Sequence, residues 1–151
     1  MKRLLLVLLV ATACKSGGSA PATGAGGGPA VEGAASPRTA VDAFLGAVHA
    51  QDLQAMSLVW GTSKGPARGA IDRAELEKRE LIMQCYLTHD AYKILGDVTA
   101  TDGRHNLDVQ LNRGKVMRTT TFTAVQSGSR WYVENVKLDA VKDLCANQPT
   151  D

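Results

Sequence analysis

Acid–base chemistry in this 151-residue sequence has three histidines to draw on, and thiol or metal chemistry has three cysteines. The strongest acid–base set centres on His105, which shares a strand face with Leu107, Val109 and Leu111 and has Asp97 and Asp108 within reach. Arg118 and Thr120 share a face with Phe122 on the following strand. A general base on an inward face, with a carboxylate neighbour that shifts its pKa, is what a small lyase or isomerase requires. One histidine and one arginine define no reaction class, however. The plainer expectation is that His105 lies exposed beside the Asp102-Gly103 turn and that Arg118 pairs with a surface carboxylate. Tyr92 and Trp131, with Tyr86, Tyr132 and Trp60, either floor a pocket or fill core. His49 and His89 each suit the negative end of a helix macrodipole.

No residue is assigned a catalytic role, and neither a cofactor nor a metal is expected. The sequence has no G-x-S-x-G elbow, no P-loop glycine run with lysine, and no H-E-x-x-H or paired-cysteine metal site. Cys85 sits among Leu81, Ile82 and Tyr86, as a buried structural cysteine does, and no C-x-x-C partner stands near it. Cys85 and Cys145 are expected to form a structural disulfide. Closing a loop of about 60 residues stabilises a domain by about 4 kcal/mol in the chain-entropy model.

The third cysteine belongs to a different part of the chain. Lys2 and Arg3 make a positive start, Leu4 to Val10 is an unbroken apolar run, and small residues lead to Cys14. The run is too short to span a bilayer, which takes about 20 apolar residues. From Lys15 to Ser36 the chain is mostly Gly, Ala, Ser, Thr and Pro, with no aromatic residue. As a Gly-rich coil this tether reaches on the order of 25 Å. Setting Lys2 and Arg3 aside leaves 15 basic against 15 acidic residues, so the domain lacks the basic footprint that nucleic-acid binding needs.

Val10-Ala11-Thr12-Ala13-Cys14 resembles the lipobox of bacterial lipoproteins, with Ala11 where that family usually carries Leu. The resemblance implies cleavage before Cys14 and acylation of Cys14 by diacylglyceryl and palmitate-type chains. It further implies residence in the cell envelope, and Lys15 in place of Asp implies the outer membrane, facing the periplasm. Ala11-Thr12-Ala13 also reads as an A-x-A site for ordinary signal peptidase, which would leave a soluble periplasmic protein. Giving Cys14 to lipid leaves Cys85 and Cys145 an even pair in an oxidising compartment.

The remainder reads as helices first and strands after. Ser36-Pro37 starts a helix whose Val41, Phe44, Leu45 and Val48 recur at helical spacing. Asp52 opens a second, with Leu53, Met56, Val59 and Trp60 on one side, and Gly61 to Gly69 is a loop. Asp72 with Glu75 reads as a capping box for a third helix running towards Leu87. Its main apolar stripe is expected at Leu81, Ile82, Cys85 and Tyr86, with Leu76, Met83 and Leu87 on a second flank. After Asp90 the period becomes two. Tyr92, Ile94 and Val98 alternate with Lys93 and Asp97, and further strands are expected near 105–112, 115–126 and 131–138. The expected class is α+β, N-terminal helices on an antiparallel four-stranded meander. The domains follow as signal peptide 1–13, lipidated tether 14–35, folded domain 36–146 and tail 147–151.

The Ala40 to Trp60 stretch and the ending Gly128-Ser129-Arg130-Trp131-Tyr132-Val133-Glu134-Asn135-Val136 resemble the nuclear-transport-factor-2-like superfamily. That resemblance implies a curved sheet wrapped as a cone around a long helix. The superfamily holds both pocket enzymes and non-catalytic members, so fold does not choose between them. The leading expectation is a membrane-anchored, non-catalytic binding domain for a protein partner or an apolar small ligand. A homodimer through the Thr119, Thr121, Thr123 and Val125 face would fit it, and the rival is the His105 enzyme.

Overall fold

A computed structural model describes residues 31–146. The expected signal peptide, Cys14, most of the tether and the tail at 147–151 lie outside the described residues. In chain order come α1 (Pro37–His49), α2 (Leu53–Val59), a two-residue hairpin of β1 (Gly61–Thr62) and β2 (Gly65–Pro66), and a 3-10 turn at Ala67–Gly69. Then follow α3 (Arg73–Tyr86), the strands β3 (Ala91–Thr99), β4 (His105–Arg113), β5 (Val116–Ser127) and β6 (Arg130–Val136), a second 3-10 turn at Leu138–Ala140, and α4 (Lys142–Ala146). The fold is α+β, with an antiparallel sheet of order β3-β4-β5-β6. Among the described residues no helix is long and apolar enough to cross a membrane.

Helices α1, α2 and α3 start where their cap chemistry puts them. The Ser36 hydroxyl accepts from the Thr39 amide at 3.2 Å, and Thr39 Oγ1 accepts in turn from the Ser36 amide, with Pro37 at the first helical position. Asp52 accepts from the Ala55 amide at 2.9 Å and Asp72 from the Ala74 amide at 3.0 Å. The capping box expected at Asp72 and Glu75 is only half made, because the Glu75 carboxylate turns to Arg79 one turn on, at 2.7 Å.

Along α1, Ala40, Val41, Phe44, Leu45, Ala47 and Val48 are buried, a helical stripe that covers one face of the sheet. Phe44 meets Phe122 of β5 edge to face, ring centroids 6.2 Å apart. Helix α3 presents a different side from the one expected. Leu81 is 54 % exposed and Ile82 is also exposed, while Leu76, Glu80, Met83 and Leu87 are buried. These four follow one another at three- and four-residue steps, so they share one side, and of the expected stripe Cys85 and Tyr86 are half-buried while Leu81 and Ile82 are not.

Two β-bulges decide which strand residues face α1. On β3 the register with β4 slips between Ile94 and Gly96, leaving Leu95 as the extra residue. Period two would have carried Gly96 and Val98 inward. Instead Val98 is 66 % exposed, and Asp97 and Thr99 stand opposite Leu107 and His105. On β5 and β6 the slip falls between Thr123 and Ala124, leaving Glu134 of β6 as the extra residue, so that Phe122 faces Val136. Val125, opposite Tyr132, is buried, and Thr121 and Thr123 donate across to Asp108 and Asn106 at 2.8 and 3.0 Å. The supposed flat face of β-branched residues is thus closed at one end and tied by side-chain bonds along its length.

The fold begins before Ser36. Ala34 and Trp131 exchange backbone bonds at 2.8 and 2.9 Å, and the Gly33 amide donates to the Leu58 carbonyl. Arg130 donates to the Glu32 and Gly33 carbonyls, and the Glu32 carboxylate pairs with Arg68. Residues 32–35, expected as the end of the tether, are therefore part of the domain. Gly61 must be glycine, because a Cβ there would lie 2.5 Å from the Gly65 carbonyl oxygen and 2.9 Å from the Tyr132 ring. At the other end, Cys85 of α3 and Cys145 of α4 stand at disulfide distance, their Cα atoms 4.9 Å apart.

Candidate functional site

The β3 bulge creates the arrangement nearest to catalytic geometry. With Asp97 turned to the α1 face, its Oδ1 lies 2.7 Å from His105 Nδ1. The His105 ring sits edge-on to Trp131, centroids 5.0 Å apart and planes at 85°. An imidazole that donates Nδ1–H to a carboxylate keeps Nε2 as the proton acceptor, the orientation a general base needs. Here Nε2 has Thr99 Oγ1 at 3.4 Å, a long contact. Asp108, the other carboxylate considered, lies on the opposite face and accepts from Thr121.

Tyr92 and Arg118 belong to the other end of the sheet. Tyr92 is seven residues from Thr99 along β3, about 23 Å of extended strand. Its hydroxyl donates to Asp42 Oδ1 of α1 at 3.0 Å, and burial, reinforced by that carboxylate, pushes the phenol above its ordinary pKa. Arg118 pairs with Asp143 of α4 and with the Met117 carbonyl. Of the four candidates, then, Trp131 meets His105, whereas Tyr92 and Arg118 do not.

Beside Tyr92 lies a cluster that neither motif nor spacing announced. The buried His89 ring meets Tyr92 edge-on at 5.4 Å and His49 at 5.5 Å, and the three line a 250 Å³ cleft with Gly46, Asp90 and Ala91. His89 Nδ1 lies 2.8 Å from the Leu87 carbonyl and His49 Nδ1 lies 3.1 Å from the His89 carbonyl. The His49 ring thus ties the end of α1 to the segment after α3, while the His89 ring closes a local turn on Leu87. Burial holds the His89 imidazole below its ordinary pKa, so it stays neutral and packed. Among the described residues no group of three or more His, Cys, Asp or Glu is placed to hold a metal ion.

A third arrangement centres on Glu80. It is 1 % exposed on the covered side of α3, and its Oε1 has no hydrogen-bond partner among the described residues. Burial, with Glu77 nearby adding repulsion, raises its carboxyl to about 7. Glu80 lines a 360 Å³ cavity with Gln54 and Ser57 of α2, Arg68 of the first 3-10 turn, and Arg73, Leu76 and Glu77 of α3. The sequence held a signal for it, since Leu76, Glu80, Met83 and Leu87 fall at i, i+4, i+7 and i+11. A glutamate in that row is ordinarily read as solvated, because Glu is almost never fully buried. Set beside known protein families, curated proteins and solved structures, the chain matches none of them.

Proposed function

We propose that this chain is a bacterial envelope lipoprotein, held by acylated Cys14 in the outer membrane and facing the periplasm. Its nuclear-transport-factor-2-like domain is a cone that binds a protein partner or an apolar small ligand and carries out no catalysis. The observation that carries the binding reading is the filled space between α1 and the sheet. Phe44, Leu45, Leu107, Val109, Leu111 and Phe122 are all fully buried there, where a pocket enzyme needs room for substrate. The envelope reading is supported by the cysteines, because the Cys85–Cys145 pair suits an oxidising compartment and leaves Cys14 over. Acyl chains contribute about 0.8 kcal/mol per buried methylene, so more than one holds the domain firmly.

Mass spectrometry of the protein extracted from its own envelope tests this reading. The expected mass lacks residues 1–13, carries acyl chains on Cys14 and shows a two-proton deficit that disappears on reduction. A chain that keeps Met1, or an unmodified Cys14, overturns the anchor.

A second reading rests on the 2.7 Å contact between His105 and Asp97, an oriented base at the end of the sheet. If it works as an acid–base pair, turnover in a panel of lyase and isomerase substrates falls about 10²–10⁴-fold in His105→Gln. Under the binding reading no substrate in the panel is turned over, and His105→Gln leaves partner or ligand capture unchanged.

A further inference from the structure

We propose that the cavity between α2, the Ala67–Gly69 turn and α3 is a binding site for a small primary amine, whose ammonium group takes the unpartnered carboxylate oxygen of Glu80. The inference concerns a site away from the sheet and does not rest on the anchor or on the His105 reading.

Three observations converge. The first is the orphan atom itself: Glu80 Oε1 is buried, has no hydrogen-bond partner among the described residues, and belongs to a side chain that lines a 360 Å³ cavity. A buried carboxylate oxygen without a donor is costly, and an occupant with N–H groups removes that cost. The second is the charge of the walls. Arg73 pairs with Glu77 at 2.9 Å, and Arg68 pairs with Glu32 behind it, so both guanidinium groups are already balanced. The α2 wall supplies only the neutral Gln54 and Ser57. Among the described residues that line the cavity, the charge left to be balanced is the carboxylate of Glu80, which calls for a cation. The third is the donor inventory. The Ser57 hydroxyl, in the cavity lining, already donates to the Gln54 carbonyl at 2.7 Å, so its oxygen is left only the role of acceptor. An ammonium has three N–H donors and matches acceptors at its head; a quaternary cation has none.

Without an occupant, burial and then the repulsion of Glu77 hold the Glu80 carboxyl up at about 7. An ammonium binds the ionised form, so it drives the proton off and lowers the titration midpoint. Affinity for the amine accordingly weakens about tenfold for each pH unit below 7. Of the charged groups around Glu80, Glu77 on its own helix acts on this titration, while Arg73 and Arg68, paired with Glu77 and Glu32, line the same cavity.

The test is a pH titration of the full chain labelled with ¹³C at its glutamate carboxyls, Glu80 being assigned by through-bond correlation to its backbone. Ethylammonium chloride in excess is expected to lower the Glu80 midpoint by about one unit or more, a tenfold or greater preference for the ionised form. Tetramethylammonium chloride, the same charge without N–H groups, is expected to leave it in place. Glu80→Gln should abolish the ethylammonium-induced shifts at the Ser57 and Gln54 amides. Vesicles with phosphatidylethanolamine, run beside phosphatidylcholine, tell a lipid headgroup from a free amine as the source of the ammonium. An equal effect of both cations, or a Glu80 titration that ethylammonium does not move, overturns the proposal. The wild-type titration decides this whether or not the variant folds.

Discussion

Truncating Phe44 to alanine is expected to lower the stability of the domain by about 3–5 kcal/mol. The side chain is completely buried at the centre of α1, and its ring meets Phe122 edge to face, so the variant loses transferred area, opens a cavity and breaks an aromatic pair. A domain of this size has about 5–15 kcal/mol in total, so the loss takes a large share of it. Urea denaturation followed by fluorescence of Trp60 and Trp131 measures the effect as a fall in midpoint with little change in slope. Phe44→Leu keeps most of the volume and should cost markedly less. A midpoint shift below about 1 kcal/mol in Phe44→Ala would show that α1 does not seat against the sheet as described.

Removing the Cys85–Cys145 link is expected to cost about 4 kcal/mol, because the two residues are 60 apart and the unlinked unfolded chain regains the entropy of that loop. The native state gives a second reason for a large effect. Helix α4 has five residues and one fully buried apolar side chain, Leu144, so it cannot hold itself in place. Besides the link it has Arg113 donating to the Leu144 carbonyl and Arg118 paired with Asp143. The paired substitution Cys85→Ser with Cys145→Ser is the clean test, since a single substitution leaves a reactive thiol. Its urea midpoint should fall to match that of the reduced wild type, and amide exchange should accelerate first across residues 138–146. Equal midpoints for oxidised and reduced wild type would mean that the loop is closed by packing alone.

The order of elements was legible because it rests on local chemistry. Ser36-Pro37, Asp52 and Asp72 are cap signals, and the Val41, Phe44, Leu45, Val48 spacing can only be a helix. What escaped had non-local causes. The single extra residue at Leu95 is invisible to a period-two reading, which placed Val98 inward and Asp97 outward; Gly96 inside a strand pattern was the only hint of a bulge. The side of α3 that is buried depends on α2 and α4, and both flanks of that helix carried apolar residues. The α4 helix itself is too short to announce a period. His105 and Trp131 are 26 residues apart, and pairing across β4, β5 and β6 brings them together. Glu80 was hidden by its residue type, since its position in the buried row was regular.

The fastening of residues 32–34 also sets how the molecule carries load. Ala34 is bonded at both its amide and its carbonyl to Trp131, and the Glu32 and Gly33 carbonyls are gripped by the Arg130 guanidinium. Tension applied through the preceding chain reaches β6 before it reaches α1. Such tension is therefore shared by β6, α2 and the Ala67–Gly69 turn, and the first helix is shielded from it.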